Sequence, residues 1–108
     1  MTDEKAMTHF KKRVFAWAEK LDVKARTVTV RAMTKKWASC STAGRLTFDA
    51  SLLRLPGVLQ DYVIVHELLH FHVPNHGRLW KSLMRAHLGS YEARESRLRR
   101  IAGKLVDG

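Results

Sequence analysis

A single cysteine, Cys40, excludes any disulfide within the chain. That suits a reducing compartment, and the cytoplasm is the expected location. Two prolines and six glycines in 108 residues leave little material for a flexible linker, and no repeat or low-complexity stretch interrupts the pattern. Acidic residues are also scarce, ten against twenty Lys and Arg, for a formal net charge of +10. Such an excess suits a polyanionic partner such as nucleic acid, or keeps a small surface soluble. The charges are scattered along the chain rather than gathered in one run, which favours the second meaning. Long apolar runs are absent. The stretch from Tyr62 to Val65 falls far short of the roughly 18 residues of a membrane span, and His66 and Glu67 follow it at once. The opening MTDEKAMTHFKKR is charged where a secretion signal needs an apolar core. Neither a membrane span nor a signal peptide is expected.

Hydrophobic residues make up 45% of the sequence, with three Trp and four Phe, so the composition is that of a globular protein. The length allows one domain, residues 1–108, with a thin core that a bound metal would help to hold. Phe10, Val14, Trp17 and Leu21 recur at helical spacing and predict an amphipathic helix over 3–21. RTVTVRAM, residues 26–33, alternates and predicts a strand with Val28, Val30 and Ala32 on one face. RLTFD, residues 45–49, predicts a second with Leu46 and Phe48 inward. The simplest pairing is an antiparallel meander, of three strands if Lys36 to Ser41 is extended. Ser51 to Leu55 reads as a short helical turn stopped by Pro56-Gly57. From Val58 to Phe71 nearly every side is apolar, which predicts a buried helix ended by Pro74-Asn75. Arg78 to Leu88 predicts another helix, with Leu79, Leu83, Met84 and His87 in register. After Gly89, Ser90 is placed to cap a last helix that turns Tyr91, Leu98, Ile101 and Leu105 to the core. The expected class is α+β, a small antiparallel sheet packed on one central helix.

That central helix carries His66-Glu67-Leu68-Leu69-His70. Histidines four apart lie one above the other on a helix face and can reach one metal ion. Zinc suits two imidazoles, and an ionisable trio inside an apolar helix costs several kcal/mol unless something compensates. Glu67 is rotated about 100° from His66, too far to be an equivalent ligand but well placed to act as general base. A third ligand has to come from downstream. His72 is about 200° round from His70 and points away if the helix persists. His76 follows the helix-ending proline, where the chain can fold back, and Glu92 and Glu95 on the last helix are the alternatives. The H-E-x-x-H-x-x-x-x-x-H spacing is that of the metzincins, but Val73 stands where those proteins have glycine. Cys40 reads as packing rather than as a nucleophile. Trp80 is expected under the ligand loop. Asn75 could orient a ligand or cap the next helix, and Asp61 could accept from a ligand imidazole or favour the helix start. Tyr62, Tyr91 and His87 are candidates for stabilising an oxyanion.

The run Lys36-Trp37-Ala38-Ser39-Cys40-Ser41, then Gly44, then Asp61 through His70, then Asn75-His76-Gly77 with Trp80, resembles the YgjP-like metallopeptidases. It is closer still to their short stand-alone relatives, the minigluzincins. The resemblance covers residues 26–88. It implies a minimal zincin that hydrolyses peptide bonds, a zinc ion, and a histidine third ligand from the Asn-His-Gly segment, here His76. Ala38 departs from the commoner glycine. The resemblance also implies that the segment after Tyr91 can cover the cleft and keep the enzyme latent, although its apolar stripe suits a core helix too. SprT-like proteases, which degrade DNA-bound proteins, resemble the chain more loosely. The substrate expected is a peptide or protein. The reading from another class is a basic nucleic-acid-binding module with a structural zinc site, for which a carboxylate beside the ligands has no task.

Overall fold

Phe10, Val14 and Ala18 are buried and form the inner face of α1, Thr2–Lys20, with Leu21 buried just past its end. The computed structural model describes residues 2–102. α1 closes with Asp22 in the left-handed region at φ 58° and Val23 N–H donating to Ala18 O at 2.8 Å, which satisfies an end carbonyl. Three short strands follow: β1 (Thr27–Arg31), β2 (Ala38–Cys40) and β3 (Arg45–Asp49). A 3-10 turn spans Ala50–Arg54. Then come α2 (Gly57–Leu69), α3 (Arg78–Leu88) and α4 (Glu92–Ala102). No helix among the described residues is long and apolar enough to cross a membrane.

Among the described residues the architecture is α+β, four helices and one three-stranded sheet. The expected meander is corrected. β3 lies in the middle, antiparallel to β2 but parallel to β1, with Thr27 opposite Arg45 and Arg31 opposite Asp49. The cause is the connection over residues 32–37, which crosses the end of β3 and lets that strand enter between its neighbours. Strand alternation is the same for either sense of pairing. The central strand buries Leu46 and Phe48 completely, and Phe48 meets Phe10 edge-on at 5.0 Å, which joins sheet to α1.

Gly44 closes the β2–β3 turn at φ 90°, and its carbonyl accepts from Arg26 N–H at 2.8 Å. A Cβ there would lie 2.8 Å from the Lys24 carbonyl oxygen. Strain and close approach act together, so Gly44→Ala is expected to cost about 1–3 kcal/mol, read as a lower denaturant midpoint at unchanged slope.

The ends of elements differ from expectation in informative ways. β1 stops at Arg31, which leaves Ala32 exposed. α2 stops at Leu69 rather than at Pro74, as His70, Phe71 and His72 each donate three residues back and tighten the last turn. Along α2 every residue from Tyr62 to Leu69 is buried, whereas Val58 at its start is 46% exposed. In α3 the buried pair is Trp80 and Met84, and Leu79 is turned out. Tyr91, just before α4, and Leu98 within it reach the core while Ile101 does not, and Leu105 lies outside the described residues. Tyr91, not Ser90, holds the cap position, its carbonyl accepting from Arg94 and Glu95.

Candidate metal centre

α2 runs through the core, so the side chains of His66 and Glu67 are taken almost wholly from water, at 3% and 0% exposure. His66 and His70 are one turn apart, with ring centroids 5.0 Å from each other. The chain then turns at Pro74 and returns His76 to the same face. Its Nε2 lies 3.2 Å from His66 Nε2 and 3.0 Å from His70 Nε2. Two nitrogens held about 2.0–2.1 Å from one zinc ion at a tetrahedral angle are about 3.3–3.4 Å apart. The three rings therefore converge at nearly the spacing a small cation with nitrogen ligands requires, and among the described residues they form the one group that could hold a metal.

A second observation concerns the proton of His70. Its Nδ1 is 3.2 Å from the Val73 carbonyl oxygen, which can only accept. Nδ1 therefore carries the hydrogen, and Nε2 turns a lone pair toward the other two rings. A ligand imidazole needs that tautomer. The Val73 carbonyl is a functional group that sequence reasoning missed, since a main-chain oxygen leaves no mark in residue identity.

His72 is excluded as expected. Its Nε2–H donates to the Leu21 carbonyl at 2.8 Å, on the α1 side. Glu92 pairs with Arg85, and Glu95 Oε2 accepts from the Tyr62 hydroxyl at 3.0 Å, so neither carboxylate joins the cluster. Trp80 does more than underlie the loop. Its ring is 4.5 Å from that of His76, 4.9 Å from His66 and 6.2 Å from His70, and so meets all three. Asn75 shapes the turn around His76 by accepting from Gly77 N–H at 2.9 Å. Asp61 has neither of the roles considered for it. Oδ1 accepts from Arg13 Nη1 and Trp17 Nε1, both at 2.9 Å, and ties α1 to α2. Cys40 Sγ lies 4.0 Å from the Glu67 carbonyl oxygen, a packing contact that sets β2 against α2.

Among the three oxyanion candidates, His87 packs edge-on against Trp17 instead. Tyr62 stacks on Tyr91 at 6.2 Å and leans on His66 at 5.8 Å. Burial, and next the Glu95 carboxylate, push the Tyr62 hydroxyl well above its ordinary range, so it remains a donor. Tyr91 is also raised, by burial and then by Glu92.

A helix with two histidines and a glutamate, a third histidine folded back onto it and a small sheet alongside define a metallopeptidase domain. The chain belongs to the YgjP-like metallopeptidase family, whose domain model matches residues 1–101. The match reaches well beyond residues 26–88, taking in α1 and most of α4. Two solved structures share the fold. The metallopeptidase zymogen jannalysin of Methanocaldococcus jannaschii is 26% identical, with a TM-score of 0.72 over 85% of this chain and 93% of that one. The metallopeptidase zymogen abylysin of Pyrococcus abyssi is 18% identical, with a TM-score of 0.71 over 97% and 99%, and its likeness is one of fold. No curated protein matches the sequence.

Proposed function

We propose that this chain is a zinc-dependent endopeptidase in which His66, His70 and His76 hold the ion and Glu67 is general base and acid. The observation that carries this reading is the convergence of three Nε2 atoms, one of them with its tautomer set by Val73. When bound by three nitrogens with a position left open, zinc brings the pKa of water near ~7 and acts as a Lewis acid toward a carbonyl. The chain's own residues do the rest. Glu67 takes the proton of the attacking water and returns it to the leaving amine. Trp80 and the Asn75 turn hold His76 in position. β2 is an edge strand set against α2 at Glu67, so an extended substrate pairs with its outer side.

Glu67 and His66 are closed off from water, and both solved neighbours are zymogens. Those facts support a latent form in which the segment after Tyr91 restricts access, with Leu98 fixing α4 in the core at the same time.

Protein purified without added metal is expected to hold about one equivalent of zinc and to cleave an unstructured protein such as casein, at a rate limited by latency. A chelator should remove both metal and hydrolysis, and zinc should restore both. Hydrolysis that persists after complete metal loss contradicts the reading.

A further inference from the structure

Two depressions outside the metal centre invite comparison. One lies on α1 and includes the carboxylate of Glu4 beside Lys5 and Lys12. The other, about 380 Å³, lies where the connection after β1 meets β2, and is lined by Arg31, Thr34, Lys35, Lys36 and Ser39 without any carboxylate. The second is held in shape from beneath. Asp49, 3% exposed, accepts from Met33 N–H at 2.9 Å and from the Ser51 hydroxyl, and its own N–H donates to Trp37 O at 2.8 Å. The Asp49 carboxylate is thus engaged by the connection, and the cationic residues that line the depression are exposed.

Position gives this depression its meaning. β2 has β3 on one side and no strand on the other among the described residues. Along it Ala38 is fully buried and Cys40 touches the Glu67 carbonyl, while Ser39 between them alternates to the opposite face and lines the depression. A peptide paired with the outer side of β2 shares that alternation, so every second side chain falls on the face of Ser39. Arg31 and Lys35 stand there with opposite charge to a carboxylate.

We propose that the depression between Arg31, Lys35 and Ser39, beside edge strand β2, is a substrate subsite that takes an acidic side chain and gives the enzyme a preference for extended acidic peptides. The proposal rests on the peptidase reading for its link to cleavage, and its recognition step is measurable without turnover.

The experiment titrates full-length Glu67→Gln protein with three fluorescein-labelled decapeptides of one sequence, carrying centrally Asp-Glu, Asn-Gln or Lys-Lys. The Asp-Glu peptide should bind about fivefold more tightly than Asn-Gln, the scale of two exposed charge pairs. Arg31→Ala with Lys35→Ala should abolish that difference. Lys5→Ala with Lys12→Ala, which removes equal charge at the other depression, should leave it intact. Arg31→Glu with Lys35→Glu should transfer the preference to the Lys-Lys peptide. Equal binding of the acidic and neutral peptides overturns the proposal, as does an equal loss in the two alanine pairs, which would mean net charge alone. Cleavage of the same peptides by wild type is scored separately. Acid-selective binding retains the subsite whether or not hydrolysis follows, and hydrolysis without acid selectivity overturns the subsite and retains the peptidase reading.

Discussion

Glu67→Gln is expected to keep fold and metal and to lose hydrolysis by about 10²–10⁴-fold, the usual worth of general acid–base help. Gln has nearly the shape of Glu and opens no cavity in a helix that is closed all round from Tyr62 to Leu69. It keeps a carbonyl oxygen but has no basicity with which to take a proton. Replacing a fully buried carboxylate by an amide also removes a charge whose desolvation opposes folding, so stability should hold or rise slightly. Initial rates on an unstructured protein, metal content and melting temperature together make the test. A variant that cleaves as fast as wild type shows that the proton goes elsewhere, and the assignment of Glu67 then fails.

The second large effect separates two histidines four residues apart. His76→Ala removes one of three converging nitrogens and should weaken zinc binding beyond the 10–100-fold typical of changes outside the ligand set. His66→Ala and His70→Ala should do the same. His72→Ala should leave the affinity unchanged and cost about 1 kcal/mol of stability, from the lost bond to the Leu21 carbonyl. Competition with a chelating dye gives the affinities and denaturation gives the stability. Equal zinc affinity in His76→Ala and wild type would mean that the convergence of the three rings has no bearing on the metal.

Much of this was legible from the residues. Helical geometry places His66 and His70 together, four residues of about 100° apart, whereas His72 lies in the tightened turn past Leu69 and is held on the α1 side by the Leu21 carbonyl. Trp80 was readable as a neighbour of the ligand loop, though its contact with all three rings was not, since that depends on where α3 crosses α2. Strand sense was hidden, as Val28 and Val30 alternate identically beside a parallel or an antiparallel partner. Asp61 misled because its partners, Arg13 and Trp17, are far off in sequence and are brought near by the packing of α1. Leu79 and Ile101 misled in another way. In a chain this short few positions on a surface helix reach the core, and apolar identity alone does not choose among them.

The carbonyl that holds His70 belongs to Val73, the residue just before Pro74. A proline restricts the backbone of the residue ahead of it to extended conformations, so the ring that follows the tightened last turn also limits where that oxygen can point. Alanine scanning is blind to such a contact. Replacing Val73 leaves its carbonyl in place, whereas replacing Pro74 frees the main chain that aims it. Anyone grafting this motif onto another scaffold should therefore count its span as unbroken from His66 to His76, with the Val73-Pro74 step carried over as faithfully as the histidines.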